Sequence, residues 1–361
     1  MTLLLRPTLV GGGFESILMN ETSWSMHYLA GLATGDPHGR DADAPTRIPL
    51  RGWWDIAFRI WRNIGEDRLL SVAAGMTFYT LLAIFPAIAA FVSLYGLLAS
   101  GQSVEGTLDY LRGVLPPDAL DLLADQMRRL VSQDNSALSL GFFISLGFSL
   151  WSSNASMKAL FDALSIVYHE REKRGFFLLT GLSLTMTLGG LLFIILALSC
   201  VVVLPIVLSF VGLGFVTEWV MRLIRWPLLF AAGCLFLTFV YRYGPSRRPA
   251  KWRWISLGSI VAVLLWIIAS MAFSYYVANF GSYNRTYGSL GAVVGFMTWI
   301  WISSIIILIG AELNAEIEHQ TSVDSTIGKD RPLGERGATM ADSIGPTAGE
   351  VGKSEQSLQQ S

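Results

Sequence analysis

Two carboxylates four residues apart, Glu312 and Glu316, stand directly behind an apolar run from Ala292 to Ala311. On a helix that spacing puts both on one face, and Glu318 follows within the same turn. Negative charge at a helix C-terminus is repelled by the helix dipole, so the helix is expected to continue to about His319 and to meet a cation there. The favoured chemistry for Glu312 and Glu316 is a structural ion pair holding the end of a helix bundle, with Arg62, Arg68 and Arg242 as candidate cations. A proton or substrate relay is the alternative.

The segment ahead of the run, Ser282-Tyr-Asn-Arg-Thr-Tyr-Gly-Ser-Leu-Gly291, concentrates polar groups in a short turn. Asn284, Arg285 and Tyr287 could form a small polar gate able to meet an anionic headgroup. The plainer reading is a tight hairpin anchored by tyrosines, with Gly288 supplying turn freedom. Further back, Pro86 is expected to break a membrane helix near mid-span, with Thr77, Tyr79 and Thr80 before it. Proline frees a carbonyl about one turn earlier, near Leu82. Tyr79 and Pro86 are therefore candidate substrate-binding residues, although a packed kink is the favoured reading because proline is common in membrane helices. Asn154, flanked by Ser152, Ser153 and Ser156, is the remaining substrate-binding candidate. Its amide must find a partner in an apolar setting, and a bond between helices is favoured over a site.

These residues have to be positioned by membrane helices. Of 361 residues, 52% are hydrophobic and 15% charged, where a soluble chain carries about a quarter charged. Several charge-free stretches reach the roughly 20 residues needed to cross a bilayer. The net charge of -1 gives no basic field for nucleic acid. Cys200 and Cys234 lie in apolar segments, and His27, His38, His169 and His319 are scattered without ligand spacing. Neither a metal site nor a cofactor signature is expected, and no catalytic constellation points to an enzyme.

The fold class expected is all-α: a polytopic membrane bundle of six transmembrane helices with amphipathic interfacial helices. Residues 1–49 read as a disordered extension and residues 321–361 as a disordered cytoplasmic tail. The membrane domain spans 50–320. An amphipathic helix over 50–68 carries Trp53, Ile56, Ala57, Ile60 and Ile64 on one face and Arg51, Asp55, Arg59, Arg62 and Glu66 elsewhere. It suits either the membrane interface or the protein's own polar surface. Transmembrane segments are expected at about 72–99, 137–157, 176–203, 226–243, 254–279 and 288–311. The stretch 175–217 is long enough to hold one segment or two, and 226–243 must snorkel its flanking arginines. A stripe from Leu120 to Val131 suggests short helices capping the outer loop. Gly291 and Gly295 form a GxxxG pair suited to close helix packing.

Charge sets the count and the orientation. Loops placed inside carry Arg47, Arg51, Arg59, Arg62 and Arg68, then Lys158, Arg171, Lys173 and Arg174, then Arg242, Arg247, Arg248, Lys251 and Arg253. Loops placed outside carry Arg112, Arg128, Arg129, Arg222, Arg225 and Arg285. Fourteen against six favours six helices with both termini cytoplasmic, because positive residues collect inside.

Four stretches carry a resemblance. Ala73-Ala-Gly-Met-Thr-Phe-Tyr-Thr-Leu-Leu-Ala-Ile-Phe-Pro86, Trp151-Ser-Ser-Asn154 with Ala159-Leu-Phe-Asp-Ala-Leu, Tyr283-Asn-Arg-Thr-Tyr-Gly-Ser-Leu-Gly291 and Gly310-Ala-Glu-Leu-Asn314 resemble signatures of the YihY/BrkB family of bacterial inner-membrane proteins. The likeness runs from about Gly52 to His319. It implies about six helices in the cytoplasmic membrane and leaves the activity unsettled: some members are labelled virulence factors, and an older label is ribonuclease BN. The residues argue against the second label, since metal-dependent RNA hydrolysis needs clustered His and Asp ligands beside a basic groove. Passive handling of a lipid-like or apolar substrate, or envelope maintenance, is expected, with membrane lipids as partners. A membrane scaffold binding partner proteins through its cytoplasmic helices is the alternative.

Overall fold

The computed structural model describes residues 36–98, 124, 135–200, 215–279 and 289–351. Among the described residues, a 3-10 turn, Pro45–Arg47, precedes eight helices: α1 (Leu50–Glu66), α2 (Leu69–Leu98), α3 (Asn135–Val167), α4 (Phe176–Leu198), α5 (Phe215–Tyr243), α6 (Trp252–Asn279), α7 (Ser289–Gln320) and the short α8 (Thr339–Asp342). Among the described residues there is no strand, only an isolated bridge between Ala250 and Thr326.

Among the described residues, five stretches are long and apolar enough to cross a membrane: Leu69–Ile88, Phe176–Ala197, Leu223–Tyr243, Trp252–Ala278 and Val293–Gln320. The sixth long helix, α3, has 33 residues, about 50 Å at 1.5 Å per residue, against roughly 30 Å of bilayer hydrocarbon. Six crossings with an accompanying amphipathic helix therefore describe the architecture. The stretch 175–217 holds α4 and the start of α5, while residues 201–214 lie outside the described residues.

Helix α2 packs on α3, α7 on α6, α2 and α1, and α5 on α6. Among the described residues, the buried core sits toward the end of the bundle that holds the N-terminus of α2 and the C-terminus of α7. Leu69, Ala73 and Met76 of α2 meet Ala163, Leu164 and Val167 of α3, Val240 and Tyr241 of α5, Leu308, Ala311 and Ala315 of α7, and Met340 of α8. Along the spans, large side chains such as Phe177, Leu188, Ile195, Leu228 and Met271 point outward, as they must where lipid is the solvent.

Two expectations are corrected, and a third lies almost wholly outside the described residues. Pro86 does not break its helix, because α2 runs continuously through it. The carbonyl that a proline releases lies four residues back, at Leu82; Ser149 Oγ of α3 reaches the adjacent Ala83 carbonyl at 3.5 Å. Gly295 faces open space rather than a neighbouring helix. The close crossing is instead between α6 and α7, where a Cβ on Gly258 would lie 2.1 Å from the Gly310 carbonyl oxygen. Of the expected Leu120–Val131 stripe only Ala124 is described; it is helical and buried.

The flanks also differ from expectation. Residues 36–49 and 321–351, read as unstructured from their polarity, fold against the end of the bundle. Asp342 accepts the backbone N–H groups of Arg336, Gly337 and Ala338. Arg336 donates to the carbonyls of Ser322, Arg331 and Ala341, and Thr321 Oγ1 donates to Ala42 O at 2.6 Å. Polar composition measures how little a segment buries on its own. It does not register a surface already waiting with partners for those groups.

Candidate functional site

Among the described residues, the polar groups gather at the end of the bundle that contains this core. Helix α3 stops there through a left-handed His169 at φ 51°. The N–H of Glu170 reaches back to Ser165 O at 2.8 Å and that of His169 to Ile166 O at 2.9 Å, the Schellman pattern that satisfies a helix's last carbonyls. This turn delivers Glu170, Glu172, Lys173 and Arg174 to the same end as the C-terminus of α7.

Glu312 and Glu316 are both fully buried, and α1 meets them. The Arg59 guanidinium pairs with Glu316, donates to Gln320 Oε1 at 2.7 Å, and donates to the Pro346 carbonyl of the tail at 3.0 Å. Asn63 Nδ2 bridges the two carboxylates, 2.7 Å from Glu312 Oε1 and 2.9 Å from Glu316 Oε1. Glu312 Oε2 is buried without a hydrogen-bond partner. Asp55, one turn before Arg59, is buried as well: it contacts His38 Nδ1 and accepts the Ala348 N–H at 2.9 Å. Thus Asp55 and Arg59, placed away from the apolar face in sequence, form with Asn63 a buried polar stripe of α1. Leu50, Trp54 and Trp61 are left exposed, an apolar edge suited to a membrane interface.

The three candidate cations lie elsewhere. Arg62 pairs with Glu66 along α1 at 3.2 Å. Arg68 occupies the left-handed junction of α1 and α2 at φ 51°. Arg242 donates to the Ala250 carbonyl at 2.7 Å and lies 4.5 Å over the Trp252 ring. Arg59 and Arg247 take the acidic positions instead. Arg247 and Glu318 form a two-bonded pair at 2.6 and 3.1 Å with both side chains fully buried, and Arg247 lies 4.2 Å over the Tyr168 ring. Ser325 Oγ of the tail donates to the same carboxylate at 2.7 Å.

The remaining candidates are dispersed. Asn154 is buried and accepts from Ser183 Oγ of α4 at 2.6 Å. Tyr79 faces outward, 42% exposed, against the edge of Phe78. Asn284, Arg285 and Tyr287 lie outside the described residues. Sequence reasoning missed Asn63, Arg247 and Tyr168. The signal for the first was available, since Asp55, Arg59 and Asn63 repeat at the same four-residue spacing as Glu312, Glu316 and Gln320.

At the neighbouring turn, Arg174 holds Glu172 at 2.6 Å and caps α5 through the carbonyls of Tyr243 and Gly244 at 3.0 and 2.6 Å. The Arg174 hydrogen bonds hold the Glu172 carboxyl down at about 2, from an ordinary 4.5. A depressed carboxyl stabilises the fold above its unfolded value and loses that contribution as pH falls through the folded one. Acid unfolding followed by circular dichroism should therefore include a Glu172 contribution between pH 4.5 and about 2, and Glu172→Gln should flatten that limb.

A match to the family model described as virulence factor BrkB covers residues 60–334, a range that includes Asn63 and the acidic end of α7 and begins one residue after Arg59. The chain belongs to the BrkB family. It is 28% identical over 251 residues to a Bacillus subtilis protein named ribonuclease-like protein YfkH, covering 68% of this chain and 88% of that one. It is 24% identical over 262 residues to the UPF0761 membrane protein NTHI0384 of Haemophilus influenzae, covering 72% and 93%. A UPF0761 membrane protein of Xanthomonas campestris is 28% identical over 257 residues, covering 70% of this chain and 58% of the relative. No solved structure gives a significant match. The chain is an integral membrane protein of this family.

Proposed function

We propose that this BrkB-family protein resides in a bacterial cytoplasmic membrane with both termini cytoplasmic, and that it passively handles a lipid-like substrate. The observation that carries the reading is a cluster of polar contacts between apolar helices, near Lys158 of α3 and the start of α4. Thr80 of α2 and Ser156 of α3 share a hydrogen bond at 2.7 Å. Asn154 of α3 accepts from Ser183 of α4, and Lys158 Nζ donates to Thr180 Oγ1 at 2.9 Å. Such a cluster supplies polar partners to a headgroup where it enters the hydrocarbon from the inner face. The exposed tryptophans of α1 then sit at the inner headgroup level, and the ion-paired end lies in the cytoplasm, in line with the basic loops.

The ribonuclease-like name of the Bacillus relative is not carried over. The buried carboxylates here are committed to structure, Glu316 to Arg59 and Glu318 to Arg247. We read the chain as a non-enzyme. RNA hydrolysis by a preparation freed of soluble nucleases would overturn that.

The test is movement of labelled phospholipid between leaflets of liposomes containing the purified protein. Wild type should accelerate it. Asn154→Leu should slow it about fivefold, equivalent to one lost hydrogen bond of ~1 kcal/mol. No acceleration by folded wild type, together with normal envelope permeability in a deletion strain, would remove the proposal.

A further inference from the structure

Beside the ion-paired end lies a cavity of about 350 Å³, within the range of about 300–1,000 Å³ typical of small-molecule sites. Its charged lining is of one sign: Lys173, Arg174, Arg242, Arg247 and Arg248. Three of these cations have carboxylate partners, Lys173 with Glu170, Arg174 with Glu172 and Arg247 with Glu318. Arg242 and Arg248 have none among the described residues. Arg242 is only 8% exposed, so its charge is largely removed from water, and a cation in that state needs a counter-charge or hydrogen-bond acceptors.

The acceptors are incomplete. One N–H of Arg242 goes to Ala250 O, but its Nε is buried with no hydrogen-bond partner, as are Arg247 Nε and Arg248 Nη1. Buried N–H donors left unmet are rare in folded proteins and call for an explanation. All three residues line the cavity, and like charges gathered on one wall ask for a small acceptor-rich anion. A tetrahedral oxyanion offers several oxygens to separate guanidinium donors. The cavity is also lined by Leu182 of α4, on an apolar helix, so an acyl chain attached to the anion has a surface to follow.

We propose that this cavity is an anion site for a phosphate group, held chiefly by Arg242 and Arg248. The inference does not rest on lipid movement, because a phosphate can bind here without being carried across the membrane. A lipid phosphodiester and free phosphate share the chemistry and are separated by experiment.

Equilibrium binding to the full chain in detergent would use two probes at constant ionic strength: inorganic phosphate, and a short-chain phosphatidylglycerol with the zwitterionic phosphatidylcholine as comparison. Saturable binding of phosphate establishes a site for the free anion. Binding of phosphatidylglycerol in preference to phosphatidylcholine, with phosphate weak, establishes a lipid headgroup site. In either case Arg248→Gln should weaken binding about tenfold, the loss of one charge-assisted hydrogen bond. Arg248 is the safer variant because its side chain donates to no protein acceptor among the described residues, whereas Arg242→Gln also removes the Ala250 bond. No saturable binding of either probe, or equal binding by folded Arg248→Gln and wild type, overturns the proposal. These outcomes are read without flux, so a failed lipid-movement assay and a failed anion site remain distinguishable.

Discussion

Replacing Arg59 with methionine should destabilise the protein by about 3–5 kcal/mol, the cost of leaving one partner of a buried ion pair uncompensated. Both Arg59 and Glu316 are 1% exposed, so water cannot take the place of the lost guanidinium. The same change orphans Gln320 Oε1 and the Pro346 carbonyl and unfastens three segments at once: α1, the end of α7 and the tail. Thermal unfolding in detergent should show it as a lowered Tm. Glu316→Leu alone should be similarly severe, since it strands the arginine. The double variant Arg59→Met with Glu316→Leu should be less damaging than the sum of the two, because both charges then leave together. An Arg59→Met protein within about 0.5 kcal/mol of wild type, the range of an ordinary surface change, would show that this end is hydrated and the pair incidental.

The same pair shows what sequence can and cannot reveal. Membrane helices are legible because bilayer thickness sets a length that composition alone satisfies; α4, α6 and α7 follow directly from charge-free runs. The acidic end of α7 was legible as needing a cation, since carboxylates do not end an apolar helix unpartnered. Which cation was not legible. Arg59 belongs to a helix whose own period puts it opposite the apolar face, and that period assumes the polar face looks at water. Here the polar stripe Asp55, Arg59 and Asn63 looks inward, because Glu312, Glu316 and Gln320 present a matching stripe some 250 residues later. Complementarity between distant helices leaves no mark in the periodicity of either. The tail failed for a related reason: Gly345 and Pro346 close over Arg59, so their order depends on a surface built by α1 and α7.

Gly258→Ala should be nearly as disruptive as losing the ion pair, at about 2–5 kcal/mol from overpacking and the hydrogen bonds it displaces. Its Cβ would fall 2.1 Å from the Gly310 carbonyl oxygen and 2.5 Å from Asn314 Oδ1. The first of these is backbone, so no rotamer relieves it and α6 must move away from α7. Asn314 is buried at this crossing. It accepts the Gly258 N–H at 2.8 Å and donates to Ile255 O at 3.0 Å, and separation of the helices breaks both bonds. Gly310→Ala attacks the same crossing from the other side, meeting Tyr241 Oη at 2.6 Å and Gly258 O at 2.8 Å. That contact also threatens the Tyr241 bond to Ile307 O, which ties α5 to α7. Gly295→Ala is the comparison, since a methyl there meets no heavy atom within 4 Å, and alanine favours the helix by about 1 kcal/mol in water. Unfolding of the three variants in detergent should leave Gly295→Ala at or above wild type and both others well below it. Gly258→Ala unfolding alongside Gly295→Ala would mean that α6 and α7 do not cross in close backbone contact, and the placement of Asn314 would fall with it.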